Sequence, residues 1–153
     1  MMESDGKFMR LALEVAQLSN DRSRKVGCVI VGPDNEIRST GYNSFPVGII
    51  DSIEKRHERP AKYMWTEHAE RNAIYNAAKH GVSINGCKMY LPWFPCIDCS
   101  RAIIQAGIVE LIAIEPDVRD DRWGSDFSVS LEMLREAGIR LRFVECNVEG
   151  IPT

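Results

Sequence analysis

The feature that most constrains this chain is a pair of short clusters, His68-Ala69-Glu70 and Pro95-Cys96-Ile97-Asp98-Cys99. His68, Cys96 and Cys99 are soft or borderline ligands, suited to a zinc ion with one coordination position left open. Glu70 lies two residues from His68, near enough to exchange protons with whatever fills that position. Both clusters fall at the starts of apolar-patterned helices. The fold must therefore bring two helix starts together at one end of a sheet.

These residue types suit hydrolysis of an aminated ring. Zinc lowers the pKa of a bound water from about 15.7 towards about 7. Hydroxide then becomes available to attack an amidine carbon, C4 of cytosine or the equivalent carbon of a purine. Loss of ammonia requires protons to reach the ring nitrogen and the leaving amine, and positioned acid–base groups contribute about 10²–10⁴-fold to such steps. Glu70 is the only motif residue free for that role. The pattern H-x-E…P-C-x-x-C is the signature of zinc nucleobase deaminases. Each half also has a bland reading: H-x-E is common in helices, and C-x-x-C can be a redox pair. A helix N-terminus would depress the thiol pKa in either case. A redox pair leaves His68, Glu70 and Pro95 unexplained, so the joint pattern favours zinc.

The 153 residues match the usual length of one domain, 1–153, long enough to bury a core. No apolar run approaches the ~18 residues of a membrane span. Met1-Met2-Glu3-Ser4-Asp5 lacks the charged and apolar regions of a signal peptide. The expectation is a cytoplasmic protein that does not engage a membrane. Of the five cysteines, Cys28, Cys87 and Cys146 fall in apolar, strand-like stretches and read as buried small hydrophobes. A net charge of −3 argues against a nucleic-acid partner, because affinity for a polyanion requires a basic face. Composition favours a small substrate.

Along the chain, the apolar spacing predicts a helix over Gly6–Ser19 and a doubly covered strand over Val26–Val31. A turn at Gly32-Pro33-Asp34-Asn35 leads to a second strand, Glu36–Tyr42. Asn43–Glu67 has no clear period. It is either a solvated loop with one helical turn or a wall over the metal site, with Lys55, Arg56, His57, Arg59 and Lys62 available to a phosphate. Thr66 is placed to cap a helix over Glu67–His80 that Gly81 closes. His80 reads as a surface residue matched to the helix dipole. Cys87–Trp93, Val109–Ile114 and Ile139–Cys146 read as strands, with helices at Ile97–Ala106 and Phe127–Ala137 and a charged loop at Asp117–Asp126. The tail Glu149–Thr153 reads as frayed. The order α-β-β-α-β-α-β-α-β predicts an α/β fold, a five-stranded mixed sheet with helices on both faces.

With these motifs and this element order, the chain resembles the cytidine deaminase superfamily, and within it the deoxycytidylate deaminases. The likeness runs from about Leu11 to Leu141. It is carried by Ser23-Arg24-Lys25-Val26-Gly27, Thr40-Gly41-Tyr42-Asn43, His68 to Ile74, Phe94-Pro95-Cys96 with Cys99, and Ile103-Ile104-Gln105-Ala106-Gly107-Ile108. The resemblance implies a three-layer fold, Zn²⁺ held by His68, Cys96 and Cys99, and Glu70 as the proton shuttle. It implies that Asn43 orients the sugar or base, that the Ala69 amide faces the pyrimidine carbonyl and that the protein forms a homo-oligomer; Pro95 and Trp123 are further candidates for substrate contact. Two departures stand out. Ser44 follows Asn43 where many relatives have glycine, in a segment that forms nucleotide-binding surfaces in the family. The loop after the fourth strand carries Trp123 where relatives often have tyrosine, and Trp123 either stacks on a base or plugs the core edge.

The leading function is hydrolytic deamination of a free nucleotide, dCMP first. The alternatives are deamination of another small nucleobase or nucleoside, editing of a flipped base in RNA or single-stranded DNA, and a non-enzymatic zinc or redox module.

Overall fold

The computed structural model describes residues 3–145. Its sheet has the order β2-β1-β3-β4-β5. Strands β1 (Gly27–Val31) and β2 (Ile37–Tyr42) form the expected antiparallel hairpin. Strand β3 (Lys88–Leu91) pairs antiparallel with β1, while β4 (Glu110–Ile114) and β5 (Arg140–Val144) continue in parallel. Helix α1 (Glu3–Ala16) covers one face, packing Met9 and Ala12 against Val29, Val31, Tyr90, Ile112 and Val144. Helices α3 (Ala69–His80), α4 (Ile97–Gln105) and α5 (Gly124–Glu136) cover the other. There Ala69, Ala73, Ile103, Phe127 and Leu134 bury Cys28, Ile30, Met89, Leu91 and Leu111. Alternation along each strand assigns residues to the two faces. β1 is buried throughout, as its unbroken apolar run predicts.

Two glycines let helices lie close on the hairpin. A β-carbon at Gly27 would come within 2.0 Å of the Ala12 carbonyl oxygen on α1. One at Gly41 would come within 2.3 Å of the Ala73 nitrogen on α3. The small side chains Ala69, Ala73 and Ala77 complete that second contact.

Several expected boundaries move. Helix α1 begins at Glu3 and its regular part ends at Ala16. Gln17, Leu18 and Ser19 turn their amides to carbonyls three residues back, the tighter pattern common at helix ends. Helix α5 begins at Gly124, so the charged loop is shorter than the sequence suggests. The stretch 43–67 is more ordered than its missing period implies. It contains a 3₁₀ turn at Glu54–Arg56 and a one-turn helix, α2 (Lys62–Trp65). Cys28 and Cys87 are buried, as expected. Cys146 and the tail Glu149–Thr153 lie outside the described residues. Among the described residues, no helix is long and apolar enough to cross a membrane.

Candidate metal centre and active site

The carboxyl end of β3 and the amino end of α3 meet at the metal-ligand cluster. His68 Nδ1 lies 3.4 Å from Cys96 Sγ and 3.4 Å from Cys99 Sγ. The three candidate donor atoms all fall within 4.8 Å of one another. Bonds of about 2.0–2.1 Å to nitrogen and 2.3 Å to sulfur in a tetrahedral site place donor atoms roughly 3.4–3.8 Å apart. The donor set therefore fits zinc in type and spacing.

Local structure explains the convergence. Thr66 does not cap the long helix; it follows α2 in extended conformation. Ser44 and Glu67 form a two-way backbone bridge, Ser44 N to Glu67 O at 3.1 Å and Glu67 N to Ser44 O at 2.7 Å. That bridge holds Glu67 extended, so the helix starts at Ala69 and His68 takes the N-cap position with its ring free of capping duty. Cys96 is the N-cap residue of α4, and its sulfur accepts from the Cys99 amide at 3.4 Å. Arg71 ties the two helix starts together, bonding Glu67 at 2.6 Å and lying 3.5 Å from Asp98.

The cluster favours a deprotonated sulfur. Hydrogen bonding from the Cys99 thiol, together with His68, outweighs burial and brings the Cys96 thiol down to about 4. The hydrogen bond to Cys96 and burial hold the Cys99 proton on its sulfur, so that thiol moves up. Its hydrogen bond to Cys96 raises His68 above its ordinary value. Glu70 is 4% exposed, and burial raises its carboxyl above the usual range. Opposing influences include His68 and a hydrogen bond with Cys99. A buried carboxylate beside two sulfurs and an imidazole can hold or release a proton close to the metal position.

The other sequence-predicted residues are placed by different routes. Ala69 is fully buried and opens α3, so its amide is a donor the helix leaves unsatisfied. Pro95 is buried beside Cys96. Asn43 is 7% exposed and acts as a backbone clamp: Oδ1 accepts from Val26 N at 2.9 Å and Nδ2 donates to Arg24 O at 2.8 Å. Trp123 is 39% exposed and lines a cavity of about 330 Å³ with Trp93, Phe94, Arg24 and Arg122. Three of the basic residues of the long stretch are engaged locally. Lys62 pairs with Asp21 at 3.1 Å, Arg56 bonds the Ile50 carbonyl at 2.8 Å, and the His57 ring stacks on Phe45 at 4.8 Å. His80 is exposed at the end of α3, bonding the Asn76 carbonyl at 2.8 Å.

Sequence reasoning missed Asn72, Ser19 and Arg24. Asn72 fastens α3 to the hairpin through the Tyr42 carbonyl and Ser44 Oγ, at 2.8 and 3.2 Å. Ser19 Oγ donates to the Asn43 carbonyl at 2.7 Å. Asn72 lies within the His68 to Ile74 segment that carries the family resemblance, while no local pattern marks Ser19. Arg24 lies in the Ser23 to Gly27 segment that carries the resemblance, and the antiparallel pairing of β1 with β3 sets it beside the residues after β3.

Such a framework defines the class of hydrolytic deaminases built on a His-Cys-Cys metal site. Residues 2–115 match the family model described as the cytidine and deoxycytidylate deaminase zinc-binding region, and the chain belongs to that family. The "Uncharacterized deaminase in luxG 3'region" of Aliivibrio fischeri is 36% identical over 145 residues, 93% of this chain and 94% of that protein. The deoxycytidylate deaminase of Homo sapiens is 37% identical over 141 residues, 88% of this chain and 76% of that one. The crystal structure of dCMP deaminase from the cyanophage S-TIM5 in complex with dCMP and dUMP matches with a TM-score of 0.75 and 26% identity, covering 94% of this chain and 98% of that one.

Proposed function

We propose that this protein hydrolyses dCMP to dUMP and ammonia, with Zn²⁺ held by His68, Cys96 and Cys99 and with Glu70 moving the protons. The observation that carries the reading is the convergence of those three donor atoms next to a buried Glu70, in a chain of this family. The named deoxycytidylate deaminases and the relative crystallised with dCMP and dUMP support the choice of ring and nucleotide. Zinc supplies a water acidified into the neutral range as the nucleophile for C4.

The chain's own residues do the rest. Glu70 accepts the proton that the water gives up and delivers it to ring N3. It then passes the second hydroxyl proton to the exocyclic amine, which leaves as ammonia while C4 becomes a carbonyl. The Ala69 amide donates to the pyrimidine O2. Asn43 fixes the segment that faces the sugar, Pro95 borders the ring, and Trp123 closes the outer side of the cavity. The catalytic unit is a single domain. It assembles as a homo-oligomer, a reading supported by the exposed apolar side chains Val47, Ile50 and Met64 between β2 and α3. The substrate is a free nucleotide and not a nucleic acid, in keeping with the net charge of −3.

The test is ammonia release by zinc-loaded protein across dCMP, CMP, deoxycytidine, cytosine, guanine and adenosine. Turnover confined to dCMP is the expected result. Turnover of a base or nucleoside with dCMP untouched, or silence on all six, overturns the reading.

A further inference from the structure

The sequence directs attention to the cations of the long 43–67 stretch as phosphate ligands; the structure directs it to Arg24. Because β1 runs antiparallel to β3, with Val29 opposite Tyr90 and Val31 opposite Lys88, the approach to β1 lies beside the exit from β3. Arg24 therefore arrives over Trp93, three residues before Cys96, and its guanidinium carbon sits 3.6 Å from the centre of the indole ring. Both residues line the 330 Å³ cavity that also takes in Phe94 and Trp123.

Three bonds fix the backbone of Arg24 and its neighbours. The Asn43 amide receives Val26 N and donates to Arg24 O, and Arg24 N donates to Asp21 Oδ1 at 3.0 Å. Its guanidinium, by contrast, has no carboxylate and no hydrogen-bond acceptor among the described residues. Several nearby cations have carboxylate partners, Arg22 with Glu54 at 2.6 Å, Lys62 with Asp21 at 3.1 Å and Arg71 with Glu67 at 2.6 Å, while Arg122, in the same cavity, donates to the Tyr63 hydroxyl and lies over Trp123. Of the acids lining the cavity, Asp120 accepts the backbone amides of Arg122 and Trp123, and Asp117 accepts that of Arg119. A guanidinium seated over an indole face, with no carboxylate taking up its N–H groups, has donors to offer, and a guanidinium fork matches two oxygens of a phosphate.

We propose that Arg24 is the specificity-determining residue that reads the 5′-phosphate of the substrate, with Trp93 as its platform and Asn43 as the residue that positions it. This inference rests on the nucleotide reading above. Arg24 is exposed, so its replacement spares the core.

The test compares wild type, Arg24→Gln, Arg24→Lys and Arg22→Gln, the last removing a neighbouring cation that already has a partner. Steady-state kinetics with dCMP is paired with calorimetric binding of dUMP and deoxyuridine. Charge-assisted hydrogen bonds of this kind correspond to about 10–100-fold in affinity. Arg24→Gln is expected to raise KM for dCMP and Kd for dUMP by that factor, with kcat within about threefold and deoxyuridine binding unchanged. Arg24→Lys recovers part of the loss, and Arg22→Gln behaves as wild type. An Arg24→Gln protein with unchanged KM and Kd, or one that loses dUMP and deoxyuridine equally, overturns the assignment while leaving the dCMP reading intact. A wild type that neither turns over dCMP nor binds dUMP overturns both.

Discussion

The two faces of the sheet each carry a buried polar cluster, and the clusters differ in how their charges are balanced. On the α1 face, Asp5 is fully buried, accepts the Tyr90 hydroxyl at 2.6 Å and binds Arg142, which also pairs with Glu110. The pairing with carboxylates holds the Arg142 guanidinium well above its ordinary range, and burial next to Asp5 does the same for the Tyr90 hydroxyl. On the α3 and α4 face, His68, Cys96, Cys99 and the buried Glu70 meet with Arg71 directed to Glu67 and Asp98. The first cluster balances its charges within the protein and fastens α1 to β3, β4 and β5. The second brings together donors that a cation would bind and a carboxylate, Glu70, that no arginine or lysine pairs with among the described residues. Buried ionisable groups are not by themselves the mark of a site; what distinguishes one is the partner its donor set calls for.

That contrast can be broken from either side. The largest effect is expected at the metal ligands: His68→Ala or Cys99→Ala loses zinc, turnover and thermal stability together, because the metal ties two helix starts. Metal analysis with thermal melts checks this, and full zinc retention in both variants contradicts the ligand set. Asp5→Ala should cost about 3 kcal/mol by leaving Arg142 half-paired in a buried setting. That corresponds to a fall in Tm of about 6–12 °C, with zinc content and turnover per folded molecule unchanged. A smaller loss, about 1.5–2 kcal/mol, is expected for Tyr90→Phe, which removes one hydrogen bond to a charged acceptor. Denaturant melts measure both, and a Tyr90→Phe loss exceeding that of Asp5→Ala would invert the proposed hierarchy.

The smallest effect is a dependence on pH at the edge of the active-site side. Burial alone would raise the Asp21 carboxyl, but the amides of Arg24 and Ser23 and the Lys62 ammonium outweigh it and leave the group below its ordinary 3.8. A lowered carboxylate pKa contributes stability that is present above the unfolded value and lost as pH falls through the folded one. The stability gap between wild type and Asp21→Asn should therefore be constant above about pH 5 and close towards about pH 2. A gap that does not change over this range removes Asp21 from the account.

Much of this was readable along the chain, because the decisive signals are local. Most of the strands follow from short apolar runs bounded by turn residues, and the three candidate metal donors with Glu70 from residue types at fixed spacing. Pairings between distant segments were not readable. Asp5 lies just before the helix expected from Gly6, and nothing along the chain joins it to Tyr90 and Arg142. The start of α3 was misplaced because Thr66 has capping chemistry, whereas the Ser44–Glu67 bridge that overrides it joins residues far apart in sequence. The short helix α2 lies in a stretch without period, and it is held by tertiary bonds such as Lys62 to Asp21. Arg24 lies in a segment that carries the family resemblance, but only the strand pairing sets it on Trp93.

The measurement that bears most directly on the division between the two faces is a parallel assay of zinc content, melting temperature and dCMP turnover for Glu70→Ala. Glu70 is not among the metal donors, so the variant should hold zinc in the same ratio as wild type. Its Tm should stay near the wild-type value while ammonia release falls by about 10²–10⁴-fold. A Glu70→Ala protein that retains turnover, or one that loses its zinc, contradicts the account.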